Sequence, residues 1–406
     1  MSDIFLVRQP IFDRSDAAVG YELRFRPPED GGDPFARSYL SGSFEFLRSG
    51  LPAYVQAAPQ QLRDGIFETP EASALVVLLS PGLTAAPEPD LVASVERLSK
   101  RGVTVVLDEF ELPTEAGAPI LSLLAHSRAV RIDLRTQDPV RLGPLVAALK
   151  RQGKRAIADH VLDAKLYKAC LALGFEGFQG PHFSRPEPLP SAELPTSTAT
   201  ALRLLTLARD PNTPERELER VISADPAITF QLLRIVNSAA LGGRGITSIQ
   251  HALRLVGRNH IVRWLALATA TATAGKRGTD DELIRQAVQR ARFCELLATP
   301  ETRLDKGALF LIGLFSLLDA VFRMPMAEVL DRLNLADDVR EALLDRTGPF
   351  AVALRVTEAY ELGLWESAAE AAREASFDPA ALPAVYADAV QWAAEQVPGK
   401  QQLARA

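Results

Sequence analysis

Short apolar runs that alternate with helical segments limit the folds open to this chain more than any other feature. Between residues 74 and 178, five such runs predict β-strands, and four segments of helical periodicity lie between them. Strands that alternate with helices form a parallel sheet covered by helices. Further strands are predicted at 4–12 and 19–25, around a polar turn, and at 53–56. The number of strands predicts a (β/α) barrel, somewhat smaller than usual.

Polar side chains stand within or just after these predicted strands, where barrel enzymes place their functional residues. In chain order they are Glu22, Gln56, Asp108, Glu109, Asp133, Asp159 and Gln179. Carboxylates in such positions are oxygen ligands suited to Mg²⁺ or Mn²⁺, the ions that assist phosphodiester hydrolysis. The spacing alone equally allows them to cap helices or to end strands in solvent.

Residues 3 to 186 resemble an EAL domain, the TIM-type barrel of cyclic di-GMP phosphodiesterases. In chain order the matching segments are Gln9-Pro10-Ile11, Tyr21-Glu22 with Arg26, Leu107-Asp108 with Phe110, Ile132-Asp133, Ala158 with Val161, and Gln179-Gly180 with Ser184-Arg185-Pro186. The resemblance implies a two-metal site, in which Glu22 is a metal ligand and Gln179 is kept.

The other positions of that site depart from the family pattern. The family's metal-binding asparagine falls on Gln56, and its next glutamate falls in 76–80, where no carboxylate occurs. The remaining changes, in chain order, are Glu109 for an aspartate, Arg131 for the cleft lysine, Asp159 for a glutamate and Leu162 for a second glutamate. The glycine-rich loop after the paired acids is also absent.

These departures predict that the barrel does not hydrolyse cyclic di-GMP and needs no metal or cofactor. Two-metal hydrolysis requires several anionic ligands at fixed distances, and a misplacement of about 1 Å can cost ~10²-fold in rate. Arginine in place of lysine keeps the charge but changes its shape. Mg²⁺ or Mn²⁺ is expected only under the alternative of an active phosphodiesterase. Binding of cyclic di-GMP without cleavage stays open, with Arg26 and Gln179 as candidate contacts.

A second region, from 224 to 264, contains short helical segments separated by residues that start or stop a helix. Asp225-Pro226 predicts a helix start, Asn237-Ser238 its end, Ser248 a second start and Gly257 its stop. The pattern resembles the HDOD domain, over about Leu194 to the early 370s. The signature residues are Asp225, Pro226, Asn237, Ser238, Thr247, Ser248 and Gly257. The resemblance implies a helical bundle that lacks the metal ligands of HD hydrolases and binds a partner protein.

The predicted domains are therefore an EAL-like barrel at 1–187, a proline-rich linker at 188–195 and an HDOD helical domain at 196–406. Helices are predicted from 37 to 48 in the barrel, and at 280–298 and 307–322 in the helical domain. The last of these is apolar nearly all round, and Gly313 and Ser316 are small enough for close helix packing there.

Composition limits the partners and the compartment. The net charge of −6 gives no general attraction to nucleic acid, although 201–277 holds 11 basic and 5 acidic residues. Cys170 and Cys294 have neither metal-type nor disulfide-framework spacing, which is typical of a reducing cytoplasm. No signal peptide is visible, and no apolar stretch reaches the roughly 20 residues of a membrane span.

Together the two resemblances indicate a non-catalytic bacterial signalling protein, with the barrel as a sensing or docking platform and the HDOD domain as output to a protein partner. They imply a link to cyclic di-GMP control of motility or biofilm formation. Two alternatives remain, namely an active or weakly active phosphodiesterase and a DNA-binding regulator. The latter would place Arg254, Arg258 and Arg263 on phosphates, but Gly257-Arg258 makes a very short turn for that purpose.

Overall fold

Eight β-strands close into a barrel in the computed structural model. The structure describes residues 6–26, 32–40, 43–69, 72–80, 89–110, 120–184, 204, 207–208, 212–223, 257, 278–331 and 337–397. The strands are β1 (Leu6–Phe12), β2 (Ala18–Phe25), β3 (Ala53–Ala57), β4 (Leu75–Leu79), β5 (Thr104–Leu107), β6 (Ala129–Asp133), β7 (Arg155–Asp159) and β8 (Gly177–Phe178). Each pairs with the next in chain order, and β8 pairs with β1. The predicted barrel is confirmed.

Strand β1 runs against its two neighbours, whereas β2 to β8 are parallel. The cause is the short turn after β1. The Asp13 carboxylate accepts hydrogen bonds from the backbone N–H groups of Ser15 and Ala17, which fixes a tight reversal. Such a turn can join only antiparallel strands, because parallel strands need a long crossover.

Seven described helices accompany the barrel strands. They are α1 (Pro34–Leu40), α2 (Ser43–Arg48), α3 (Pro59–Arg63), α4 (Pro89–Lys100), α5 (Ile120–His126), α6 (Pro139–Arg151) and α7 (Ala164–Leu173). Helices α1 and α2 overlap the predicted helix over 37–48, with residues 41–42 outside the described residues, and α3 was not predicted. Asp138 and Asp163 cap α6 and α7, and Gly174 ends α7 with φ +96°. The two predicted helical segments before and after β7 are confirmed, and these residues fix their ends.

The barrel interior is filled by its own apolar cluster. Its members are Ile11, Tyr54, Val76, Leu78, Val106, Ala129 and Ile157. Most of the residues next to them along the strands face outward and belong to a second, larger cluster, as the two-residue period of a strand requires. The packed interior leaves the carboxyl ends of β2 to β8, called the barrel mouth below, as the place for polar side chains.

Helices dominate the rest of the described chain. They are α8 (Glu215–Ser223), α9 (Gly278–Leu297), α10 (Lys306–Phe315), α11 (Leu318–Phe322), α12 (Met326–Asp331), α13 (Asp337–Leu344), α14 (Ala351–Glu361), α15 (Trp365–Glu374) and α16 (Leu382–Gln396). These helices are called the helical region below. Helix α15 was not predicted. Within the described residues, no helix combines the length and the apolar character that a membrane crossing requires.

The predicted continuous helix over 307–322 is wrong. Helix α10 ends at Phe315 and α11 begins at Leu318. Between them the Ser316 hydroxyl donates to the Gly313 carbonyl at 2.8 Å and accepts from Arg290 at 3.2 Å. Serine side chains that bond to a preceding carbonyl compete with the helical ladder, so the uniformly apolar pattern concealed a break.

Most of the HDOD signature lies outside the described residues. This holds for Asp225, Pro226, Asn237, Ser238, Thr247 and Ser248, and for the linker at 188–195. Gly257 is described, and its φ of +75° suits the predicted helix stop. The arginines of the DNA-binding alternative also lie outside the described residues.

Candidate functional site

A buried guanidinium occupies the centre of the barrel mouth. Arg131 Nε and Nη2 donate to the two carboxylate oxygens of Asp108 at 2.6 and 2.7 Å. Its Nη1 and Nη2 also donate to the two oxygens of Glu22, at 2.8 and 3.3 Å. One arginine therefore makes two forked contacts with two carboxylates, the geometry in which such hydrogen bonds are strongest.

Asp159 and Gln179 also lie beside this guanidinium. The five residues together are called the carboxylate–guanidinium cluster: Glu22, Asp108, Arg131, Asp159 and Gln179. Asp159 Oδ2 lies 3.9 Å from Arg131 Nε. The Gln179 amide oxygen accepts from Arg131 at 3.2 Å, and its nitrogen donates to Glu22 at 2.6 Å and to Gln9 at 3.2 Å. No member exposes more than 6% of its surface.

The strand period explains why these residues meet. Val130 and Ile132 belong to the outer apolar cluster, so Arg131 between them points into the barrel. Glu22 lies in β2, Asp108 and Gln179 directly follow β5 and β8, and Asp159 ends β7. Because all these strands are parallel, their carboxyl ends converge at one mouth.

Electrostatic pairing outweighs desolvation in this cluster. Burial by itself would raise the pKa of Glu22, but the nearby Arg131 and Arg24 lower that pKa to about 2. Burial opposes the charge of Arg131 as well, yet Glu22 and Asp108 raise the pKa of Arg131 above its usual value. Glu22 and Arg131 are thus both charged throughout the physiological range.

A second, more exposed group borders the cluster. Arg135 Nη2 donates to Asp133 Oδ2 at 2.7 Å. Burial tends to raise the pKa of Asp133, but the hydrogen bonds from Arg135 lower it overall. His160 Nδ1 lies 3.2 Å from Asp159 Oδ2 and 3.4 Å from Asp133 Oδ1. Asp133 is therefore near the cluster but does not contact Arg131 in the described contacts.

The other predicted site residues lie apart from the cluster. Gln56 is exposed, and its neighbour in the sheet is Leu78, which lies in the stretch 76–80 where this chain lacks the glutamate of the family pattern. The Glu109 side chain is exposed, on a backbone with φ +47°. Arg26 is about one-third exposed and lies 3.9 Å from Glu366.

Two residues that contact the cluster were not predicted from the sequence. Arg24 Nε lies 3.2 Å from Glu22 Oε1, and Gln9 accepts from Gln179. Both could have been found from the strand period. Arg24 lies two residues beyond Glu22 on the same face of β2, and Gln9 is the partner of Glu22 in the register of β1 and β2.

The residues present do not fit a pair of divalent cations. The acids that would hold them, Glu22, Asp108 and Asp159, already surround the guanidinium of Arg131. A divalent cation would have to displace that group or lie against a like charge in a desolvated site, which is strongly unfavourable. Across the described residues no three His, Cys, Asp or Glu side chains group as metal ligands.

Comparison with known proteins places an HDOD domain in this chain, since the family model described as "HDOD domain" matches residues 194–341. An uncharacterised protein of Bacillus subtilis, YuxH, is 26% identical over 403 residues, or 96% of this chain and 98% of its own. The cyclic di-GMP phosphodiesterase CdgJ of Vibrio cholerae is 28% identical over 415 residues, or 97% of this chain and 93% of its own.

Two solved structures that are similar to this chain each cover less than half of it. The FimX EAL domain from Pseudomonas aeruginosa, bound to c-di-GMP, covers 45% of this chain and 89% of its own, with 16% identity and a TM-score of 0.34. A standalone EAL protein from Vibrio cholerae O395, in its c-di-GMP-bound form, covers 45% and 91%, with 16% identity and a TM-score of 0.33.

Proposed function

We propose that this chain, which joins an eight-stranded barrel to an HDOD domain, is a non-catalytic regulator in cyclic di-GMP signalling. The observation that carries the proposal is the position of Arg131, whose guanidinium is held by Glu22 and Asp108. The EAL-like sequence of the barrel and the name of the Vibrio cholerae relative supply the connection to cyclic di-GMP.

Arg131 replaces the charge of a metal without replacing its chemistry. A catalytic metal offers an open coordination position and lowers the pKa of a bound water, so that hydroxide forms near neutral pH. A guanidinium only donates hydrogen bonds, and those of Arg131 are directed at side chains of the protein itself. The cluster therefore stabilises the barrel instead of activating water.

Each of the two parts of the chain has its own role in this proposal. The helical domain binds a protein partner, and the barrel mouth serves as a platform for docking or sensing. Gln179 is 2% exposed and fully engaged by Arg131, Glu22 and Gln9. Between the two candidate contacts for cyclic di-GMP, we therefore favour Arg26, which reaches the surface.

The proposal predicts no turnover of cyclic di-GMP. Purified protein would be titrated with cyclic di-GMP in a calorimeter in the presence of Mn²⁺, and the same sample would then be chromatographed for the linear dinucleotide. We expect no product above the level of a Glu22→Gln control, whose residual signal measures contaminating phosphodiesterase. Product that forms with the unaltered protein and disappears in Glu22→Gln would overturn the non-catalytic function.

The competing function is an active phosphodiesterase, and the name of the Vibrio cholerae relative, cyclic di-GMP phosphodiesterase CdgJ, favours it. It would require a carboxylate to replace the one that is absent at the end of β4. Glu109 is the described candidate, but its side chain is exposed and it follows Asp108 on a backbone with positive φ. The assay above separates the two functions directly.

A further inference from the structure

The outer face of β1 and β2 is covered by helices from the other end of the chain. The connection between these strands is only the turn at 13–17, which supplies no helix of its own, and the barrel helix α2 contacts β2. In addition, α9 contacts β2, α14 contacts β1, and α16 contacts α2. Helix α9 belongs to the span matched as HDOD, whereas α14 and α16 follow it.

Strand β2 contacts helix α9 through a buried polar triad. The Tyr21 hydroxyl donates to Glu282 Oε2 at 2.7 Å and accepts from Arg285 at 2.9 Å. Arg285 is also paired with Glu282. All three residues are at most 6% exposed, and burial raises the pKa of Tyr21, so its hydroxyl stays protonated.

Strand β1 contacts the helical region through Arg8. Its backbone N–H donates to the Tyr386 hydroxyl at 3.1 Å, and its guanidinium donates to Gln289 at 3.4 Å and to Ser49 at 2.8 Å. The guanidinium carbon also lies 4.7 Å from the centre of the Tyr21 ring. A single barrel residue thus contacts both α9 and α16. These contacts and the triad together are called the seam.

Apolar packing is continuous across the seam. One buried cluster contains Leu6 and Leu23 from the barrel together with Phe293 and Leu354 from the helical region. Domains within a chain move relative to one another by default unless their interface is large and hydrophobic. Here the interface is a shared core that also buries charged groups, which are costly to leave unpaired.

We propose that the barrel and the helical region form one cooperative unit, in which a change in the stability of either part is transmitted to the other across the seam. Strand β2 supplies the connection to the candidate site, because Glu22 faces the cluster while the adjacent Tyr21 faces α9. The proposal goes beyond the proposed function and holds whether or not the barrel is catalytic.

The two cysteines of the chain provide probes for this proposal. Cys170 is buried in α7 of the barrel, and Cys294 is buried in α9 of the helical region. Pulse labelling of thiols across a urea series, with each site quantified by peptide mass, reports the opening of the two parts separately. We expect Cys170 and Cys294 to become reactive at the same urea midpoint.

Leu78→Ala makes the test decisive, because Leu78 lies in the barrel interior cluster and not in the seam. We expect this variant to lower the Cys170 and Cys294 midpoints equally, and the exposed control Lys100→Ala to move neither. Ile157→Val, a milder change in the same cluster, replaces Leu78→Ala if that variant does not fold. A Cys294 midpoint that stays fixed while the Cys170 midpoint falls would overturn the proposal, as would separate midpoints in the unaltered protein.

Discussion

Replacement of Arg131 with methionine is expected to destabilise the protein by about 3–5 kcal/mol at neutral pH, the cost of removing one partner from a buried ion pair. Methionine fills much of the same volume, but it leaves Glu22 and Asp108 buried without their cation. The free energy of unfolding from urea titration measures the loss.

The loss should depend on pH in a defined direction. In the unaltered protein the pKa of Glu22 is lowered from 4.5 to about 2. Its stabilising contribution is therefore complete above pH 4.5 and is lost as the pH falls towards 2. In Arg131→Met the Glu22 carboxylate keeps only the partly exposed Arg24 as a cation, and burial, which disfavours the charged form, raises the pKa of Glu22. The variant should then gain stability as the pH falls from neutral, so the difference between the two proteins shrinks.

Arg135→Met is the matched control. Arg135 also pairs with a carboxylate of the barrel mouth, but its own side chain is 57% exposed. Exposed ion pairs contribute little, so this variant should lose far less stability than Arg131→Met. Equal losses in the two variants would contradict the central role assigned to Arg131.

The second large effect is expected for Gly313→Ala, at the crossing of α9 and α10. A Cβ at this position would lie 2.6 Å from the Ala291 nitrogen and closer still to the Arg290 carbonyl oxygen. Backbone atoms cannot yield as a flexible side chain can, so the two helices must separate. Overpacking of a core costs about 1–3 kcal/mol of stability. Because this clash is with backbone atoms, we expect the loss of unfolding free energy to lie at or above the upper end of that range.

Gly307→Ala is the control for that prediction, because Gly307 lies in the same helix. Its Cβ would meet only the Asp305 carboxylate, at 3.2 Å, and alanine is the better helix former. Unfolding in urea, followed by tryptophan fluorescence, should show a large loss for Gly313→Ala and little change for Gly307→Ala. Similar midpoints for the two variants would mean that α9 and α10 do not approach as closely as described.

The sequence predicted the barrel well because its signals are local. The apolar strand runs and the helical periodicity between them act within a few residues of one another. The break at Ser316 was missed, since the apolar pattern does not show the bond of its hydroxyl to the Gly313 carbonyl or the contact with Arg290 of another helix. The same dependence on distant contacts limited prediction of the site.

The carboxylate–guanidinium cluster could be predicted only in part. Sequence comparison identified its members and the change from lysine to Arg131. It did not predict that one guanidinium would contact both Glu22 and Asp108, because that depends on the convergence of β2, β5 and β6 in space. The metal-free expectation rested on lost ligands, and the structure supplies an additional physical reason for it.

The seam was not predicted at all. Arg8, Glu282 and Arg285 are charged residues that sequence reasoning assigns to solvent, yet all three are buried. Their partners across the seam lie more than 250 positions away along the chain. Charge patterns within a single element cannot reveal such pairings.

Direct titration of the whole protein with Mn²⁺, followed by electron paramagnetic resonance of the free ion, tests the central claim most directly. If Arg131 holds the place of the metals, the unaltered protein should bind no Mn²⁺ at the barrel mouth, and its isotherm should match that of Glu22→Gln. Saturable binding by the unaltered protein that is lost in Glu22→Gln would contradict the account, because Glu22 would then serve as a metal ligand instead of a partner of Arg131.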